Sequence, residues 1–189
     1  MMKQSGYTLI ELLVAITIFV ILSTTVVFNL SQGRLNEDLR QAASELVLHL
    51  REVQSLALTG AVHQGNNPAG NGLHFSSNCG ANCSYQIFVD TNANLTYNNG
   101  DAVTSQYRLA RDIALIRVEV TGVTPSSNPP HSFLFSQPAA LFYFNASQGR
   151  EVHMYFKHQR TGRCRDVFVK GASGLIDETS FVSVSDGCK

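Results

Sequence analysis

The sequence predicts an α+β protein: a long N-terminal helix, apolar in its first half and amphipathic in its second, packed on an antiparallel β-sheet head. Three observations predict it. From Leu12 to Gly33 no residue is charged, a run of 22. From Leu35 to Ala57 apolar residues recur at spacings of three and four. After Gly60 the chain breaks into short apolar and alternating segments separated by Gly, Asn, Ser and Pro.

The uncharged run is long enough for a helix to span ~30 Å of hydrocarbon. No small-residue cleavage site follows it, so it reads as a retained transmembrane half rather than a removed secretory signal. Before it stand the residues MMKQSG, basic through Lys3. Glu11 is a lone carboxylate just inside the apolar helix. A charge there needs a partner, or gains from the positive end of the helix dipole. In the second half Leu35, Leu39, Ala42, Leu46, Leu50, Val53 and Ala57 form one stripe, with Glu37, Asp38, Arg40, Glu45 and Arg51 on other faces. Gly60 follows the last periodic residue as a C-cap, and Gly33 is placed to bend the helix between its halves.

The stretch His63 to Asn71 is polar and reads as a loop. Strands are predicted at Gly72–Phe75, Ser84–Asp90, Ser105–Ala110, Ile113–Val120, Ser132–Ser136, Leu141–Asn145, Glu151–Lys157, Asp166–Lys170 and Ser180–Val184. Many short strands with turn signals between them make an antiparallel head. There is no internal repeat and no second helix.

Fourteen basic and fourteen acidic residues cancel, so no global field draws the chain to nucleic acid or an anionic surface. The charged fraction, 15% against 44% hydrophobic, is that of a folded chain rather than a disordered one. The cysteines are Cys79, Cys83, Cys164 and Cys188. Four allow three pairings, and proximity favours Cys79 with Cys83 and Cys164 with Cys188. Zinc is the rival reading, but Cys164 and Cys188 are far apart and show no second knuckle.

The string Gly6-Tyr7-Thr8-Leu9-Ile10-Glu11-Leu12-Leu13-Val14-Ala15-Ile16 closely resembles the class III signal of type IV pilins and type II secretion pseudopilins. The resemblance implies cleavage between Gly6 and Tyr7 by a prepilin peptidase and N-methylation of the new terminus at Tyr7, where the family more often has Phe. It also implies a role for Glu11, as the carboxylate that neutralises the free amine of a neighbouring subunit in an assembled fibre. The layout further resembles the minor subunits of the GspH, FimU and FimT group. Leu39 to Leu58, with Arg40, Ala42, Leu46 and Arg51, looks like that group's helix end, and Phe88-Val89-Asp90-Thr91-Asn92 runs into a Gly-Asp pair. The implied organisation is a leader over residues 1–6, a transmembrane and assembly helix over 7–60, and a β-rich head over 61–189. The implied partners are other pilin or pseudopilin subunits, the peptidase and the inner membrane. The head would lie in the periplasm, and the cysteines would then be disulfide-bonded. The implied function is structural, as a minor subunit at the initiating or tip complex of a type IV pilus or a type II pseudopilus. The alternative is a minor subunit whose head captures DNA or a surface ligand.

Two other segments carry candidate chemistry. Asp90, Asn92, Asn94 and Asp101 put oxygen side chains at positions one, three, five and twelve of a calcium loop. Leu95 stands where such a loop has Gly, and Asp101 replaces the bidentate Glu. The competing reading is a hairpin loop closed by Asn/Asp turn chemistry, and no other cofactor is indicated. The run Lys157 to Arg165 is basic, and Arg160, Arg163 and Arg165 are the candidate contacts to a DNA backbone. FimT-like pilins carry a basic Gly-Arg-x-Arg near the C-terminus, and Gly162-Arg163-Cys164-Arg165 fits those letters. By strand order, however, that motif would fall near Gly174-Leu175-Ile176, where no arginine stands. Catalysis finds no motif: the six histidines are scattered, and the adjacent Asp177 and Glu178 would point to opposite faces of a strand.

Overall fold

The computed structural model describes residues 8–76, 79–80, 83–122, 130–171 and 173–179, with the side chains of 26–33 outside that description. A single helix, α1, runs from Leu9 to Leu58 without interruption, so Gly33 neither ends nor splits it. Among the described residues ten strands follow: β1 (Gly70–Phe75), β2 (Ser84–Asp90), β3 (Ala102–Arg108), β4 (Ile113–Val120), β5 (His131–Ser136), β6 (Leu141–Phe144), β7 (Ser147–Gln148), β8 (Glu151–His158), β9 (Cys164–Lys170) and β10 (Leu175–Glu178). Contacts divide the chain into two compact units, Met1–Glu37 and Asp38–Lys189, each described by itself below.

In the first unit the described side chains of α1 are nearly all exposed, including Leu9 (82%), Ile10 (72%) and Phe19 (71%). The three threonines turn their hydroxyls inward. Thr17, Thr24 and Thr25 each donate to the carbonyl three residues back, at 2.8 Å, which leaves the helix surface apolar despite its polar residues. Among the described residues no helix is long and apolar enough to cross a membrane. The exposed apolar side chains run from Leu9 to Leu22 and end in Thr24 and Thr25. That stretch is about 25 Å of helix at 1.5 Å per residue. The rest of the predicted run falls on 26–33, outside the described side chains.

In the second unit α1 buries Leu39, Ala42, Ala43, Leu46, Val47, Leu50, Val53 and Ala57, the predicted stripe widened by Ala43 and Val47. The helix ends as a Schellman motif. Gly60 takes φ +64°, its N–H donates to the Ala57 carbonyl at 3.3 Å, and that of Ala61 donates to Leu56 at 3.1 Å.

The head is two sheets, both antiparallel throughout. One has six strands in the order β3-β2-β1-β5-β6-β7, the other four in the order β10-β9-β8-β4. Leu73, Phe75, Ile87, Phe133 and Phe135 from the first sheet share one core with Val118, Val152, Met154, Phe156, Val167 and Val169 from the second and with the helix stripe. Phe75 and Phe156 meet across the sheets with ring centroids 6.3 Å apart. The predicted strand at Ser180–Val184 lies outside the described residues. The strand β10 and the two-residue β7 went unpredicted, because neither is longer than a turn's worth of alternation.

Gly72 sits where two aromatic strands close on each other. A Cβ there would fall 2.4 Å from a ring carbon of Phe88 and 2.9 Å from the Phe133 carbonyl oxygen. Phe88 is fully buried and has no space to retreat. Gly72→Ala is therefore expected to destabilise the fold by about 1–3 kcal/mol, read as a lowered urea midpoint. An unchanged midpoint would show that β1 and β2 separate easily at this point.

Candidate functional site

At the N-terminus the structure builds a capping box from Thr8 and Glu11. The Glu11 N–H donates to Thr8 Oγ1 at 3.3 Å, while the Thr8 N–H and hydroxyl each reach Glu11 Oε2 at 3.5 Å. The Thr8 carbonyl accepts the first helical bond, from Leu12 at 3.2 Å. Thr8 is thus the N-cap, and Glu11 is the third helical residue reaching back to it. The signal is present as Thr-x-x-Glu, but the sequence reading takes Glu11 as a dipole-favoured or charge-paired carboxylate and not as part of a cap. Gly6 and Tyr7 lie outside the described residues.

The second candidate is the loop between β2 and β3. Asp90 is fully buried and Asp101 nearly so. Asp90 accepts the amides of Asn92 (3.3 Å) and Leu95 (2.8 Å), and Asp101 accepts those of Thr91 (3.2 Å) and Asn98 (2.8 Å). Asn92 and Asn94 each accept the amide two residues on, at 3.2 and 3.1 Å. Ala93 and Leu95 hold left-handed backbone at φ +60° and +62°, which fits the glycine slot noted in the sequence. The donor set for a hard cation would be these oxygens, but each already receives a backbone N–H, so the loop closes on its own amides. Among the described residues no group of three or more His, Cys, Asp and Glu side chains is placed to hold a metal.

This loop is pinned to the outer face of the six-stranded sheet by Tyr97, which packs on His74 (4.3 Å between centroids) and on Phe88 (5.3 Å). The Tyr97 N–H and a ring nitrogen of His74 both engage Ser132 Oγ, at 3.2 and 2.9 Å. Burial, with the neighbouring His131 as the lesser cause, lowers His74 to about 4. Burial alone lowers His131, whose two ring nitrogens have no hydrogen-bond partner.

The basic run is the third candidate, and the structure does not gather its arginines. Arg165 is buried and lies 3.3 Å from Glu178, whose carboxylate also accepts from Ser44 at 3.0 Å. Arg160 is exposed and paired with Asp112 at 2.8 Å, and Arg163 is exposed in the same β8–β9 turn. Cys79 and Cys83 are joined by a disulfide. Cys164 is disulfide-bonded too, and no described cysteine is free. Cys188 lies outside the described residues.

Residues 1–27 match the family model described as Prokaryotic N-terminal methylation motif, a prepilin-type signal. No curated protein and no solved structure matches the chain. The match supports a pilin-like structural subunit that is processed by a prepilin peptidase and assembles with other such subunits.

Two outcomes follow from this geometry. Asp90→Ala strips two buried amides of their acceptor and should cost about 1–3 kcal/mol. The loss should persist in EDTA, since the acceptor role needs no cation; a loss seen only with calcium present would refute that role. Because His74 is lowered when folded, the unfolded chain takes up protons first as pH falls. Stability should therefore hold above about pH 6.5 and decline toward about pH 4. His74→Gln should flatten that decline in pH-dependent urea denaturation, and an unchanged slope would count against it.

Proposed function

We propose that this chain is a minor subunit of a type IV pilus or type II secretion pseudopilus, placed at the initiating or tip complex. The observation that carries the reading is the pairing of a methylation motif over residues 1–27 with a helix whose apolar side chains from Leu9 to Leu22 have no core of their own. Such a surface is costly in water, at roughly 25 cal/mol per Å². Packing against the same helix of neighbouring subunits removes that cost. The head supplies the complement: a core closed around Asp38–Lys189 and a disulfide that suits an oxidising compartment. Inner-membrane delivery with the head in the periplasm belongs to the same proposal.

A head that captures DNA is the other reading. It rests on Arg160, Arg163 and Arg165, and the ion pairs of Arg160 with Asp112 and of Arg165 with Glu178 reduce the charge left for a phosphate backbone. The assembly reading is favoured on that ground.

The test is the mature N-terminus together with one variant. Mass spectrometry of the protein from its host should give a chain that begins at N-methylated Tyr7. Glu11→Ala should still be cleaved but should enter fibres at a small fraction of the wild-type level. A chain that begins at Met1, or normal incorporation of Glu11→Ala, would overturn the proposal or the role of its carboxylate respectively.

A further inference from the structure

The arginines singled out in the sequence lie at one end of the β8–β9 pair, and a different basic site lies at the other. There Arg150 precedes β8, Lys170 ends β9 and Thr121 follows β4. With Gly149, Gly171 and Ser173 they line a cleft of about 380 Å³, within the ~300–1,000 Å³ range of small-ligand sites.

Its floor is backbone on backbone. A Cβ on Gly171 would fall 2.4 Å from the Gly149 carbonyl carbon and 2.5 Å from the Arg150 carbonyl oxygen. Gly149 itself sits at φ +73°. The two loops therefore meet backbone to backbone at Gly171, where a side chain would have no space. The Thr121 N–H donates to the Glu151 carbonyl at 3.0 Å and ties the third wall to the same point.

The charge balance of the cleft is the second observation. Arg117, Arg160 and Arg165 each have a carboxylate within 3.3 Å. Among the described residues Arg150 and Lys170 have none within ion-pair distance, and Lys170 only overlies the Phe168 ring at 5.7 Å. Among the described residues the one acid lining the cleft is Glu151. Its carboxylate is engaged at 3.5 Å by His153 Nε2, whose other ring nitrogen is 2.7 Å from Asp166. The hydrogen bond to Asp166 raises the His153 pKa. Arg150 and Lys170 thus stand against a single described carboxylate, Glu151, which faces Lys170 across the β8–β9 pair, over a pocket that also bears the Thr121 and Ser173 hydroxyls. Ser173 Oγ accepts the Leu175 N–H at 3.3 Å, which leaves its own proton to donate.

We propose that this cleft binds the oxyanion of a small hydroxylated ligand, a sugar phosphate or a sugar acid, with Arg150 and Lys170 as the charge partners, Ser173 as a hydroxyl donor and Thr121, whose own hydroxyl donates to the Glu151 carbonyl at 3.4 Å, as an acceptor for the ligand's hydroxyls. The site does not depend on the assembly role, and its test reads binding alone.

The experiment is a titration of ¹⁵N-labelled full-length protein in detergent micelles with glucose 6-phosphate, glucuronate and glucose, following the amides of Gly149 and Gly171. Saturable shifts with either acid, weakened by raised salt and absent with glucose, are expected; which acid binds more tightly identifies the source of the oxyanion. The double variant Arg150→Ala, Lys170→Ala should weaken that binding at least ~10-fold with the amide spectrum otherwise unchanged. Arg160→Ala, at the other end of the sheet, should leave it intact. No saturable shift with either acid, equal shifts with glucose, or full binding by the double variant would overturn the site.

Discussion

Burial of the helix stripe from Leu39 to Ala57 is the constraint on which the head depends. Each sheet has one apolar face, and neither can bury it alone. The stripe supplies the third surface, and its composition explains the fit. Leu39, Leu46, Leu50 and Val53 fill the core, while Ala42, Ala43 and Ala57 let backbone come close. Polar side chains on the flanks of the same helix then fix its position. His49 stacks on Tyr107 at 3.9 Å and bonds the Tyr85 hydroxyl at 2.8 Å, which ties it to the six-stranded sheet. Arg51 and Gln54 donate to the carbonyls of Ile176 and Gly174 at 2.9 and 2.8 Å, which ties it to the other. Those carbonyls belong to an edge strand and the turn before it, so the helix also satisfies backbone groups that would otherwise be left open to a foreign strand.

Much of this was legible in the sequence, for a physical reason. The stripe recurs with helical period over six turns and ends at a glycine, and such long periodic signals survive tertiary context. Strands β2 and β4 were read with their observed bounds because Tyr85, Ile87 and Val89, and Val118 and Val120, alternate inward. What the sequence could not give is the division into two sheets. Pairing Ile113–Val120 with Glu151–His158 spans a connection in which β5, β6 and β7 join the other sheet, and no local pattern records that choice. Nor could it show that Arg165 faces inward. Its neighbours Cys164 and Asp166 are also buried, so alternation breaks at that point, and Glu178, which meets it, lies on a strand that went unpredicted. The cleft between Arg150 and Lys170 has no motif at all, because the contact that shapes it joins glycines from two separate loops.

The first half of α1 obeys the opposite rule. It has no core, yet its surface is apolar and its threonines hide their hydroxyls within the helix. A helix in that state is a half-made interface, and its terminus must serve both before and after the interface forms. The capping box does this for the free subunit. Thr8 and Glu11 satisfy N-terminal amides from within the chain, so the carboxylate is occupied without a partner.

Magnitudes decide what happens to that carboxylate on assembly. An exposed N-cap contributes about 1 kcal/mol, and the contacts of Glu11 to Thr8 are long, at 3.3–3.5 Å. A carboxylate left unpaired in apolar surroundings costs about 3–5 kcal/mol. In water the capping box is the better arrangement, since a surface ion pair adds little. Under the assembly proposal the order reverses inside a packed fibre, where the amine of a neighbouring subunit would be the stronger partner. Under the assembly proposal one residue therefore plays two roles in sequence, and the transfer of Glu11 from its own cap to a neighbour is favourable only where the surrounding helices exclude water. That condition selects correctly stacked helices, because a misregistered neighbour would exclude the water without supplying the charge.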